Sequence, residues 1–126
     1  MIRVLCLLAL LWPGLAWAQD SAPSGQPLVL WELRWERIEG GDTVQLVIRA
    51  LAPDLGDLGY EKAQADMAWL CETHGRTIVD LPHAQADQVV VNIADRPVPR
   101  GRANPEAVQF FEVFALEDNR CISGDF

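Results

Sequence analysis

Tyr60-Glu61-Lys62-Ala63-Gln64-Ala65-Asp66-Met67-Ala68-Trp69-Leu70-Cys71-Glu72-Thr73-His74-Gly75 differs from the rest of the chain in its hydrophobic period. Tyr60, Ala63, Met67, Leu70, Cys71 and His74 fall on one face at helical spacing, and Gly75 stands where a C-cap glycine would. The segment reads as one helix that points Cys71 inward near its end. On both sides of it the apolar residues alternate instead, which is the period of strands.

Toward the N-terminus, Val29, Trp31, Leu33 and Trp35 alternate with Glu32, Arg34 and Glu36. They make a strand with one buried face, so Trp31 and Trp35 are expected in the core. Glu39-Gly40-Gly41-Asp42 tolerates positive φ, and Val44, Leu46, Ile48 and Ala50 alternate again, so the two runs predict a hairpin. Pro53 closes the second strand, and a loop with Gly56 and Gly59 leads into the helix.

Toward the C-terminus, Arg76 to Gln88 reads as irregular, broken by Pro82 and His83. Val89-Val90-Val91-Asn92-Ile93 is apolar on both faces and predicts an interior strand. Arg96-Pro97-Val98-Pro99-Arg100-Gly101 reads as an edge segment or loop, because its prolines remove ladder donors. Val108, Phe110, Phe114 and Leu116 share one face and Phe111, Val113 and Ala115 the other, which makes a fourth strand. The order strand, strand, helix, strand, strand predicts an α+β fold: a four-stranded antiparallel sheet (ββαββ) with one helix packed on one face.

Arg3, the apolar run Val4 to Leu11, the break at Pro13-Gly14 and the small residues Ala16 and Ala18 follow the order of an export signal, so residues 1–18 are expected to be cleaved. The run is too short for a membrane anchor. Gln19 to Pro27 then reads as a flexible or loosely docked leader, and residues 28–126 as a single domain. Loss of residues 1–18 removes Cys6, leaving Cys71 and Cys121, whose only possible pairing is a disulfide suited to a periplasmic or secreted protein. It also leaves nine basic residues against 18 acidic ones. Such a surface repels nucleic acid and anionic lipid, whose binding depends on neutralising phosphates, and favours a protein partner or a cation.

Ala65 to Glu72, Asp95-Arg96-Pro97-Val98, Asn104-Pro105-Glu106-Ala107, Gln109-Phe110-Phe111-Glu112 and Cys121 together resemble a family of small exported bacterial proteins of unknown function. The resemblance spans most of the mature chain. Its pattern includes both cysteines, in agreement with the bridge, and it implies no activity or cofactor.

Few residues offer chemistry. His74 and His83 lack a neighbouring nucleophile motif, Glu72 and His74 are two apart on a helix and face different ways, and no glycine-rich phosphate loop is present. The reading is therefore a protein-interaction or accessory domain in which no catalytic, metal or cofactor residue stands out, with a small-ligand or cation-binding domain as the alternative and a hydrolase ranked last. Two surfaces could carry it. Trp69 lies opposite the apolar stripe of its helix, where it either anchors a partner or is covered by the leader or by residues 76–88. Asp95, Arg96, Arg100 and Arg102 concentrate positive charge, either to clamp an anion or to hold their own loop.

Overall fold

A computed structural model of the chain describes residues 21–75, 86–118 and 120–123. The expected export segment, residues 1–18, lies outside these, as does His83 with the rest of 76–85.

Alternation produces strand β1, Val29–Arg37, and strand β2, Val44–Leu51, paired antiparallel. Gly40 takes φ 81° in the connecting turn, a conformation that costs glycine little. A single helical turn, α1 (Leu55–Leu58), then occupies part of the expected loop, and α2 spans Tyr60–Leu70. In place of a left-handed glycine cap, α2 widens into a π-helical turn over Cys71–Gly75. Gly75 is buried there, and a β-carbon on it would stand 3.4 Å from Val89 and 3.5 Å from the Cys71 sulfur.

The sheet corrects the four-stranded antiparallel expectation. It has five strands in the order β1-β2-β3-β4-β5, with β3 over Gln88–Ala94, β4 over Gln109–Glu117 and β5 over Arg120–Ser123. Strands β2 and β3 run parallel, and the other neighbours run antiparallel. The cause is the helix: a strand–helix–strand excursion carries the chain back across the sheet, so it re-enters in its original direction. The added strand forms because Asp118 adopts φ 49°, which Asp tolerates, and turns the chain back onto β4. Cys121 therefore sits on a strand, opposite Leu116.

β3 is central and buried along Val91–Ala94, as its doubly apolar sequence implies. Leu46 and Ile48 of β2, Val89, Val91 and Ile93 of β3 and Phe114 of β4 pack against Ala63, Met67, Leu70 and Cys71. Cys71 and Cys121 form the disulfide, with Cα atoms 6.2 Å apart, and so tie the π-helical turn to β5. The Cys121 N–H also donates to Glu72 Oε1 at 2.9 Å.

Trp31 and Trp35 do not share a buried face. A bulge between Leu30 and Glu32 sends Trp31 to the side away from the helix, where it covers the Arg49 guanidinium at 4.5 Å. Leu33 and Trp35 stay on the helix side but are 44% and 43% exposed, because α2 packs over β3 and β4 while β1 is an edge strand.

The leader residues from Ser21 to Pro27 lie against α2. Ala22 and Gln26 are buried, and the fully buried Asp66 carboxylate accepts from the Ser24 N–H at 2.9 Å, the Ser24 hydroxyl and Gln26 Nε2 at 2.7 Å. Asp66→Ala removes all three hydrogen bonds. It should cost about 2–3 kcal/mol, in the range for hydrogen bonds to a charged group, and should abolish amide-exchange protection at Ser24. Unchanged protection there would show that the leader is held by packing alone.

Candidate functional site

The sheet face turned away from α2 carries the candidate site. Register places Val47, Val90 and Val113 in one row across β2, β3 and β4, and Arg49, Asn92 and Phe111 in the next. The same alternation that buries Leu46 and Ile48 against the helix directs these residues to the opposite side.

Over that face passes the segment between β3 and β4, anchored where it leaves the sheet. Asp95 N–H donates to the Val108 carbonyl at 2.9 Å, and the Val108 N–H donates to Asp95 Oδ1 at 3.1 Å. The Arg96 guanidinium donates to both Asp95 oxygens at 3.1 Å and reaches Glu106 at 3.9 Å. Arg96 is the main reason the Asp95 carboxyl titrates below the usual carboxylate range, with the Val108 N–H contributing. Asp95 and Arg96 thus hold their loop, the second of the two roles weighed for them.

A lowered folded-state value means that Asp95 stabilises the fold above its unfolded pKa, about 3.9, and that this contribution is lost as pH falls through the folded value. Asp95→Asn should lower the Tm slightly at pH 7, and the gap to the parent should close toward about pH 2. A gap that is constant with pH would exclude the titration as its cause.

Arg49 is buried and fully engaged. Its Nε donates to Asn92 Oδ1 at 3.1 Å, one terminal nitrogen to Glu32 at 2.9 Å and the other to the Val98 carbonyl. Asn92 in turn donates to the Phe110 carbonyl at 3.2 Å. This network fastens the proline-rich loop to β2 and β3. Val98 is buried beneath the loop, while Arg100, paired with Glu36 at 2.9 Å, and Arg102 stay exposed. Among the described residues Arg102 has no carboxylate partner.

Between loop and sheet lies a pocket of about 210 Å³. Val47, Val90 and Phe111 supply its apolar surface, and Arg49, Arg100 and Arg102 its charge; no Asp or Glu is among its described lining residues. Phe111 is 57% exposed. A second cavity of about 430 Å³ adjoins it, sharing Arg49 and Arg100 and adding Trp31 and Arg34.

Trp69 lies on the other side of the molecule, half-buried against the core. It lines an open groove of about 810 Å³ together with leader residues including Ala22 and Gln26, and its indole meets the His74 ring edge-on at 5.9 Å. The leader thus borders the groove beside Trp69. Trp69 and the arginine loop are not brought together. Asp66, Glu72 and His74 do not converge either: Asp66 binds the leader, Glu72 the Cys121 N–H, and no group of three metal-ligating side chains occurs among the described residues.

Sequence reasoning missed Arg49 and Phe111. Arg49 had a signal, being a lone charge inside Val47-Ile48-Arg49-Ala50-Leu51-Ala52. Phe111 had none, since alternation marks a second face without saying how much of it stays open.

The model of a family of unknown function (DUF6497) matches residues 9–126. No curated protein and no solved structure matches the chain.

Proposed function

We propose that this chain, which belongs to the DUF6497 family of unknown function, is a small binding module of the cell envelope that holds a carboxylate-bearing segment of a partner protein on its arginine-rimmed sheet face. One observation carries the reading. In a chain with 18 acidic and 10 basic residues, three arginines line one pocket with no carboxylate among its described lining residues, beside an exposed phenylalanine. Arg49 and Arg100 are paired with Glu32 and Glu36, which do not line the pocket, and Arg102 has no carboxylate partner among the described residues, so the lining itself offers cationic groups without an acid. A concentration of arginine next to an exposed aromatic is also the composition of interface hot spots. The disulfide and the signal-like N-terminal sequence support export to the periplasm or beyond. Among the described residues no helix is long and apolar enough to cross a membrane. The second reading, a small-ligand site, draws support from the pocket's modest volume.

Site-specific photocrosslinking in cells tests this. A photoreactive residue at position 111 should give a discrete adduct with an envelope protein, and Arg102→Glu should remove most of it without changing the Tm. An adduct that survives charge reversal, or one obtained from position 69 and not from 111, would place the partner elsewhere.

A further inference from the structure

We infer that the three-arginine pocket recognises a polypeptide C-terminus, specifically a free terminal carboxylate on an apolar last residue. This deepens the binding role proposed above and rests on it. Charge calls for an anion, and the position of that charge restricts which one. Arg100 and Arg102 lie with Val98 and Pro99 on the loop side of a pocket whose sheet side carries Val47, Val90 and Phe111 beside Arg49, so cationic and apolar surfaces adjoin within about 210 Å³. That space is below the roughly 300 Å³ at which drug-sized sites begin, and it suits one side chain.

The ligand must then present a carboxylate and an apolar group a bond or two apart. A chain terminus does this, because the carboxylate and the last side chain share one Cα. An internal Asp or Glu does not: its immediate neighbours in an extended segment point to the opposite side, and the next residues on its own side stand about 7 Å away. Bare phosphate or sulfate leaves the apolar surface unfilled.

The available guanidinium points the same way. Arg49 already donates to Glu32, Asn92 and the Val98 carbonyl, so it supplies buried positive charge without being the primary clamp. Arg100 is shared with Glu36. Arg102, with no carboxylate partner among the described residues, is free to receive a carboxylate through its planar fork.

The test uses the mature chain and four probes measured by calorimetry and by amide shift mapping. These are an acetylated hexapeptide ending in free phenylalanine, its C-terminal amide, the same peptide ending in serine, and N-acetylphenylalanine. The free-acid phenylalanine peptide should bind and shift Val90, Phe111 and Arg102. Amidation, the serine end and Arg102→Ala should each weaken binding by about tenfold or more, the loss expected for one charge-assisted hydrogen bond or one buried apolar side chain.

Equal affinity for acid and amide overturns the inference, as do shifts that map to Trp69. N-Acetylphenylalanine binding as tightly as the peptide would make this a small-molecule site instead. If no peptide binds while Arg102→Glu still removes the crosslinked partner, the terminal-carboxylate inference fails and the binding role stands. If the crosslink also survives Arg102→Glu, both fall.

Discussion

Cys71→Ala with Cys121→Ala should lower the unfolding free energy by roughly 4 kcal/mol, the chain-entropy value for a closed loop of about 50 residues. Alanine is the right replacement because Cys71 is fully buried, and a serine hydroxyl there would add a separate desolvation cost. For a domain of this size such a loss is a large share of the total stability. The damage should be localised as well as global. β5 is four residues long and forms the outer edge of the sheet, and its tie to the helical layer is the bridge with the Glu72–Cys121 hydrogen bond beside it. Amide exchange should therefore quicken first at Cys121 and Ile122, then at the π-helical turn. A urea midpoint shift equivalent to less than about 1 kcal/mol would mean that hairpin pairing with β4 already holds β5 in place. Thiol titration of the unfolded, unreduced chain from residue 19 onward provides the companion measurement: no free thiol is expected, and two would contradict the bridge.

Arg49→Ala should be of similar size, about 3–5 kcal/mol, because it breaks a buried ion pair by removing one partner. Glu32, with a side chain only 20% exposed, keeps its charge and loses its closest cation, leaving the exposed Arg34 at 3.1 Å. Asn92 Oδ1 and the Val98 carbonyl lose a donor at the same time. Arg49→Met separates charge from packing, since methionine fills much of the volume of the arginine stem. Adding Glu32→Gln to Arg49→Met should recover a substantial part of the loss, because removing both charges costs less than stranding one. Strictly additive single and double losses would show that the pair is not coupled. Trp31, stacked on the guanidinium, gives a local readout: its fluorescence should change in either Arg49 variant before global unfolding. The loop that carries Arg100 and Arg102 should loosen too, so ligand capture and stability fall together here, whereas Arg102→Ala should affect capture alone.

Much of the architecture was legible because periodicity is a local property. The hairpin of β1 and β2, the helix from Tyr60, the central β3 and the two-faced β4 all follow from side-chain spacing within a dozen residues. The bridge was legible by counting, since the expected cleavage of residues 1–18 leaves Cys71 and Cys121 with one possible pairing. Strand direction was not legible, because alternation reads the same whether a strand runs parallel or antiparallel to its neighbour. β5 was too short to show a period, and its existence depends on the backbone of Asp118. The bulge in β1 likewise leaves the alternation of Val29, Trp31, Leu33 and Trp35 intact on paper while parting Trp31 from the others in space.

The candidate sites divide in the same way. Arg100 and Arg102 stood out as charges of the rarer sign, and the structure places both at the three-arginine pocket. Asp95 and Arg96 were recognisable as a pair, and their loop-holding role needed the Val108 N–H, 13 residues away in sequence, to be seen. The burial of Asp66 comes from Ser24 and Gln26, which arrive from 42 and 40 residues away. Sequence by itself thus determined the types of the longer elements, the acidic balance, the export-like start and the covalent tie, all set by near neighbours or by composition. Tertiary structure decided the parallel crossover, which tryptophan turns outward, and which arginines share a pocket. Those depend on loop closure and on the packing of distant segments, whose free energies no local spacing encodes.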